Sequence, residues 1–308
     1  MRNDFFGKPI SGPFTIPSGI VTTAPSIIQY FLDEVPQLGV ITTKSIGLAP
    51  RAGNREPIYS QYAPGCFVNA VGLTNPGAGA ALRGLEELEM PDDRFLLASI
   101  FGGSVEEFVR VAEILATVAD GLELNLSCPH ASGYGMAMGQ DPALVAEIVS
   151  AVKRAVDIPV IPKLTPNTPD IAAIARAAEE AGADGFCAIN TVGPGYTLAH
   201  GEPVLSNGAG GMSGKGVLPI ALKCIRDIRA ASDLPIIGCG GLSSAADVDA
   251  ALEAGADIIG IGSALTGLDS GEIGRYFACL ERDLDGDSED AEAMVRYDLD
   301  MQIGRAHV

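Results

Sequence analysis

Asn125-Leu126-Ser127-Cys128-Pro129-His130 sets a thiol and an imidazole two residues apart, just before a glycine-rich segment, GYGMAMGQ (133–140). A thiol or an imidazole carried on a loop after a strand suits a base or a nucleophile, and an imidazole titrates near neutral pH. Spacing alone does not choose between Cys128 and His130, and a lone cysteine also serves as a small apolar filler. Gly240-Gly241 and Gly262-Ser263 each end an apolar run and open toward a helical segment. Backbone N–H groups exposed there would hold an anion such as phosphate; glycines also simply permit tight turns. Lys44 and Lys163, two of only six lysines, fall in or just after apolar runs as well. Either could snorkel to water or meet a carboxylate. As a pair beside an anion site, they favour a polar, electron-rich ligand such as a flavin ring.

These residues sit on a regular scaffold. The apolar runs are FTIPSG (14–19), GVITTKS (39–45), FLLASIFGG (95–103), GLELNLS (121–127), PVIPKLT (159–165), GFCAIN (185–190), PIIGCGG (235–241) and DIIGIGS (257–263). Nearly unbroken apolar character marks strands buried on both faces of a parallel sheet. Helical patterns cover 25–34, 104–119, 142–155, 169–181, 217–231 and 244–254, with cap signals at Ser104/Glu107 and at Ser243. ARAAEEAGADGFCAIN (175–190) and DAALEAGADIIGIG (249–262) echo one another as helix, Ala-Asp turn and strand. The pattern predicts an α/β chain, a (β/α)8 TIM barrel with extended loops at its C-terminal face. An open dinucleotide-binding sheet would need a G-x-G-x-x-G after a strand with an acidic residue about twenty on, and none occurs. Residues 48–79 and 191–216 are too long for simple barrel loops and would wall the site. Residues 1–302 read as one domain.

Polar residues at the strand tips then become the candidate site: Ser18 and Gly19, Lys44 and Ser45, Asn125, Ser127 and Cys128, Lys163, Asn190 and Thr191, Gly240 and Gly241, Gly262 and Ser263. The net charge of −19 argues against a nucleic-acid or anionic-membrane surface. The six cysteines include no C-x-x-C pair, which excludes a zinc ribbon or a ligand set for an iron–sulfur cluster within the chain; Cys66, Cys187, Cys224, Cys239 and Cys279 read as core filler. Without an apolar run of about 18 residues or a signal-peptide core at the start, the expectation is a cytoplasmic protein with reduced thiols.

NLSCPH (125–130), TTKS (42–45), NAVGLTNPG (69–77), KLTPN (163–167), INT (189–191), GGMSG (210–214) and GCGG (238–241) resemble the dihydroorotate dehydrogenase family in order and spacing, from about residue 5 to 285. The resemblance implies an FMN-containing barrel that oxidises dihydroorotate to orotate in UMP biosynthesis. Cysteine in the NLSC motif resembles the soluble class 1 enzymes. Carried over by motif, FMN would be held by Ser18, Lys44, Ser45, Asn125, Lys163, Gly240, Gly241, Gly262 and Ser263. The pyrimidine would be lined by Lys44, Asn69, Gly72, Leu73, Asn125, Asn190 and Thr191, and Cys128 would be the base. The residue types agree with this chemistry, because asparagine amides satisfy both the donors and the acceptors of a pyrimidine edge.

His130 departs from the family, where asparagine is common at that position. SCPH with GQDP (139–142) also resembles the pyrimidine-reducing domain of dihydropyrimidine dehydrogenase, whereas GEPVLSNGAGGMSG (201–214) favours the dihydroorotate enzymes. Electrons would leave through fumarate or, in the NAD-linked type that the chain resembles most, through an iron–sulfur FAD subunit, in a homodimer or heterotetramer. Residues 303–308 (IGRAHV) match one reading frame of a common sequencing adapter and read as a non-native tail, so His307 carries no functional weight.

Overall fold

Eight short apolar strands line up in parallel, each separated from the next by a helix on the outside of the sheet. The computed structural model describes residues 4–127 and 135–286. The strands are β1 (Phe14–Thr15), β2 (Val40–Thr42), β3 (Phe95–Ile100), β4 (Gly121–Asn125), β5 (Val160–Leu164), β6 (Phe186–Ala188), β7 (Ile236–Cys239) and β8 (Ile258–Gly260). The helices are α1 (Pro25–Glu34), α2 (Ala78–Glu86), α3 (Val105–Leu115), α4 (Pro142–Ala155), α5 (Ile171–Glu180), α6 (Leu218–Ala231), α7 (Ala245–Ala254) and α8 (Ser270–Leu284). Ladders run without a break from β2 through β3 to β8 and on to β1, which is a (β/α)8 barrel.

The two ends of that ladder meet without becoming paired strands. Thr15 Oγ1 and Thr42 Oγ1 share a hydrogen bond of 2.8 Å, and Phe14 N donates to Gln37 O at 3.2 Å. A Cβ on Gly39 would strike the carbonyl oxygen of Gly12, so this approach depends on glycine. Side-chain hydroxyls and single backbone bonds close the barrel where the ladder does not.

Alternation along each strand divides the core in two. Leu96, Ala98, Leu122, Leu124, Val160, Phe186 and Ile236 pack outward against helix residues such as Phe108, Val149, Ile174 and Ile225. The other set, Val40, Phe95, Leu97, Ile161, Cys187, Ile237, Cys239 and Ile258, includes no helix residue and fills the lumen. Phe5, from a small hairpin (Asp4–Phe5 with Lys8–Pro9), enters the lumen and packs edge-on against Phe95 at 5.0 Å. Continued toward the C-terminal ends, the inward series becomes polar: Thr15, Thr42, Ser99, Glu123 and Lys163 are all buried.

The sequence patterns find six of the eight helices; α2 and α8 go unread. The first helical turn of α2 is Ala- and Gly-rich, and α8 lies beyond the last recognised strand. The cap of α7 is Ser244, one residue later than read, with Asp247 completing a capping box. The two long connections also do more than wall the site. They supply Tyr59–Ala63, Cys66–Asn69, Val192–Tyr196 and Ala209–Gly214, which pair into one antiparallel four-stranded sheet at the C-terminal face.

The Ala-Asp echo has a physical basis. Asp184 Oδ2 accepts from Val160 N, at the start of β5, and from Lys153 Nζ, at 2.7 and 2.8 Å. Asp257 Oδ2 accepts from Ile236 N, at the start of β7, and from Arg229, at 2.9 and 2.7 Å. Asp120 does the same for Leu96 N and Lys8, at 2.7 and 2.8 Å. In each case the turn into one strand satisfies an N–H in the first two residues of its neighbour and brings a cation to the carboxylate. Asp257→Ala leaves both the N–H and the guanidinium short of an acceptor, and should cost about 1–3 kcal/mol. Urea unfolding of the variant against the parent measures this.

Candidate active site

The polar end of the lumen is one connected cluster. Lys163, on β5 and 4% exposed, donates to Ser18 Oγ at 3.0 Å and lies 3.6 Å from Glu123 Oε1. Ser99 Oγ donates to the same Glu123 oxygen at 2.7 Å, and Ser99 and Ser45 share a hydrogen bond of 2.9 Å. Asn125 Nδ2 donates to Ser45 Oγ at 3.1 Å, and Asn190 Nδ2 donates to Asn125 Oδ1 at 2.9 Å. The side chain of Asn190 in turn accepts from Thr191 N at 2.9 Å. Burial works most strongly against the charge on Lys163, but the Glu123 carboxylate first, with Cys187 and Cys239, together more than offset it, so the ammonium is held well above the ordinary lysine range.

Lys44 differs. It is half-buried just beyond β2, its ammonium has no hydrogen bond or ion pair among the described residues, and its pKa is lowered from the usual lysine range by burial. Its amine reaches toward Gly19 beyond the end of β1. A half-buried ammonium without a counter-charge is a place for an anionic ligand group.

Asn69 ends the strand Cys66–Asn69, and its amide donates to Gly211 O at 3.3 Å, across the four-stranded sheet. Gly72 and Leu73 both take left-handed backbone angles (φ 82° and 58°). The loop is held by Asn75, whose side chain accepts from Gly47 N and Gly77 N and donates to Leu73 O. Asn167 braces the opposite loop, donating to Thr191 O and accepting from Gly193 N.

At the ends of β7 and β8, the N–H groups of Gly241, Gly262 and Ser263 have no hydrogen-bond partner among the described residues. Gly241 (φ 79°) lies against Gly214 O and Leu218 N, leaving no room for a Cβ. Ser263 opens a short 3-10 turn (Ser263–Leu265) rather than a long helix, and the first turn of α7 is capped from within. Asp247 accepts there from Ser243 N, Ser243 Oγ and Ser244 N at 3.0–3.1 Å. Lys215 Nζ binds both oxygens of the same carboxylate at 2.6 Å, and Tyr276 ties down Ser243 O. The candidate anion site is therefore a loop with open donors, not a bare helix end.

The structure thus brings Ser18, Ser45, Asn125, Lys163, Asn190 and Thr191 into one network. Lys44 lies next to it, and Gly240, Gly241, Gly262 and Ser263 cluster on the last two strands. Cys128, His130 and the tail 303–308 lie outside the described residues. Buried Ser127 Oγ finds no partner among the described residues. Open N–H donors, an unpaired ammonium, an orphaned hydroxyl and a glycine that admits no side chain together fit a phosphate-bearing ligand with a polar ring, as FMN is. Of the cysteines read as filler, Cys187, Cys224 and Cys239 are buried, whereas Cys66 and Cys279 are only half-buried. The sequence reading missed Glu123, Ser99, Asn75 and Asn167. Glu123 leaves a visible signal, as the lone charge inside the apolar run GLELNLS.

A parallel barrel with a buried lysine and a ring of amides at the C-terminal strand ends defines an enzyme of the TIM-barrel class. Residues 1–272 match the dihydroorotate dehydrogenase family, and the chain belongs to it. It is 46% identical over 264 residues to the dihydroorotate dehydrogenase B (NAD(+)) catalytic subunit of Pyrococcus horikoshii, covering 84% of each chain. The protein of the same name from Methanosarcina mazei is 44% identical over 262 residues, covering 84% of this chain and 82% of that one. That from Methanocaldococcus jannaschii is 41% identical over 268 residues, covering 85% and 86%.

Asp247 gives the loop after β7 a pH dependence. Burial raises its pKa, but the hydrogen bonds and charge of Lys215 and the donors of Ser243 and Ser244 outweigh this, leaving it below the ordinary carboxyl value of 3.8. Its folded pKa is depressed, so its contribution is complete above the unfolded value and fades as pH falls through the folded one. Asp247→Asn should cost about 1–3 kcal/mol at pH 6, as loss of hydrogen bonds to a charged group does. The difference from the parent should shrink by pH 3, read from urea unfolding at the two values.

Proposed function

We propose that this chain oxidises dihydroorotate to orotate with bound FMN, as the catalytic subunit of an NAD-linked class 1 enzyme of pyrimidine biosynthesis. The observation that carries the reading is the network joining Lys163, Ser45, Asn125 and Asn190 at the mouth of the barrel. In it, the residues matched by motif to the cofactor and those matched to the substrate are one connected group.

FMN would supply the two-electron acceptor. Its phosphate would rest on the N–H groups of Gly241, Gly262 and Ser263, with Gly240 allowing the close turn. Ser18, Ser45, Asn125 and Lys163 would hold the ring, with Lys44 at its edge. The substrate carboxylate would meet Lys44. Asn69, Asn125 and Asn190 would pair with the pyrimidine edge, and Gly72, Leu73 and Thr191 would shape the wall. Dihydroorotate loses a hydride from one ring carbon and a proton from its neighbour. The hydride leaves toward the cofactor face, so the proton needs a base on the other face, which is the role of the Cys128 thiolate.

Reduction of a bound flavin leaves two electrons to be passed on. The chain has no iron–sulfur ligand spacing of its own, and its relatives are named as catalytic subunits of NAD(+)-dependent enzymes. Both facts support a separate electron-transfer subunit carrying FAD and an iron–sulfur cluster. Among the described residues no helix is long and apolar enough to cross a membrane, in keeping with a cytoplasmic assembly.

The purified protein should be yellow, and dihydroorotate should bleach it under anaerobic conditions far faster than dihydrouracil, which lacks the carboxylate for Lys44. A colourless protein that takes up no added FMN would sink the reading. Faster bleaching by dihydrouracil would move it to the dihydropyrimidine dehydrogenase type, with His130 as a reason.

The base has its own test. A thiol with an ordinary pKa of about 8.5 is mostly protonated at neutral pH, so flavin reduction should speed up as pH rises toward that value. Cys128→Ala should keep its FMN yet slow reduction by roughly a hundred- to ten-thousand-fold. In stopped-flow experiments across pH, an Ala variant as fast as the parent would pass the role to His130.

A further inference from the structure

Glu123 is a carboxylate 1% exposed in the lumen of a barrel, and no part of the family motif assignment uses it. One of its oxygens, Oε1, receives the Ser99 hydroxyl at 2.7 Å and faces Lys163 Nζ at 3.6 Å. Ser18 takes another hydrogen of the same ammonium at 3.0 Å. Below this level the inward residues are Leu97, Ile161, Cys187 and Ile237. An apolar pair at 123 and 163 would continue that packing, and a buried ion pair is weak evidence of added stability. The lumen therefore keeps the charge for another purpose.

We propose that Glu123 is a positioning residue that keeps Lys163 protonated and aimed at the cofactor site in both redox states. The inference rests on the FMN reading above. Lys163 faces Glu123 from β4, Cys187 from β6, Cys239 from β7 and the Ser18 hydroxyl after β1. Cys239 donates to Ile189 O at 3.3 Å. The Cys187 thiol is pushed far up by its contact with Cys239, 3.9 Å away, and by burial. Glu123 is thus the carboxylate facing the lysine. Without it, the largest influence on the ammonium is burial, opposed only by the weaker effect of the Cys187 and Cys239 thiols, and burial of a lysine disfavours its charged form.

The consequence is countable in protons. With Lys163 already charged, reduction by two electrons brings one proton to the site, because the ammonium balances the negative charge the ring gains. With Lys163 neutral in the oxidised state, the same two electrons bring two protons, one to the cofactor and one to the lysine.

The test is an anaerobic potentiometric titration of the bound flavin, followed by visible absorbance from pH 6 to 9, for the parent, E123Q and E123D. E123Q keeps the shape and the Ser99 contact but removes the charge; E123D keeps the charge on a shorter arm. The parent should take up one proton per two electrons throughout. E123Q should change from one to two as pH rises, doubling the slope of potential against pH. E123D should hold single-proton uptake to higher pH than E123Q does. Parallel profiles for E123Q and parent would overturn the proposal, as would an E123D profile no better than that of E123Q. Failure of both variants to fold or to retain flavin would reduce Glu123 to a structural role and overturn it too. A parent that binds no FMN is a different result, which removes the functional reading and this inference with it.

Discussion

A lysine ammonium can leave water only if other groups replace its hydration, and in this barrel they come from three other strands. Lys163 on β5 is met by Glu123 from β4 and by Ser18 just beyond β1, and Glu123 is itself fixed by Ser99 from β3. That requirement sets the level at which the lumen stops being a hydrocarbon core and becomes a site. Below it, Phe5, Phe95, Leu97 and Ile161 exclude water. Above it, Ser45, Asn125 and Asn190 extend the hydrogen bonds toward the mouth. The electrostatics of the site and the packing of the core are therefore one arrangement seen from two ends, since a dry lumen is what gives a single charge its reach.

The parts of the molecule visible from sequence are those governed by local rules. Strand runs and most helices follow from periodicity, and Lys163, Lys44 and the glycine pairs stand out because polar or bare residues interrupt apolar runs. What escapes depends on neighbours distant in the chain. Ser99 reads as one small residue in FLLASIFGG, and its meaning comes from Glu123 and Ser45, which lie 24 and 54 positions away. The four-stranded sheet at the mouth escapes for the same reason. Its central pair joins Cys66–Asn69 to Ala209–Gly214, a partnership no window of sequence contains. The Pro64-Gly65 turn between Tyr59–Ala63 and Cys66–Asn69 was the one local clue. The Ala-Asp echo was legible as a repeat, but its cause was not. Each aspartate serves an N–H at the start of a strand, on a residue more than twenty positions before it.

The sheet at the mouth also links elements that the barrel keeps apart. Its strands come from the connection after β2 and from the one after β6. Tyr59 on one of them shares a hydrogen bond of 3.0 Å with Thr266, beyond β8. Lys215, where the second connection ends, grips Asp247 on α7. Loops that wall a site are ordinarily the loosest parts of a barrel; here they are strapped to each other, to the turn after β8 and to α7 by hydrogen bonds, which fixes the spacing across the mouth.

The closure between β1 and β2 gives the hoop of strands a clasp. Seven of its joints are ladders of backbone hydrogen bonds, and the eighth is closed by scattered bonds: Thr15 with Thr42, the Thr22 hydroxyl to Thr42 O, Phe14 N to Gln37 O and Lys44 N to Thr22 O. A ring with one compliant joint deforms there first, while the remaining strands move as a single stiff arc. Ser18 follows the strand on one side of the clasp and Lys44 follows the strand on the other. Breathing of the barrel would fall first on this joint, between the residue that steadies the buried lysine and the lysine whose ammonium has no partner among the described residues.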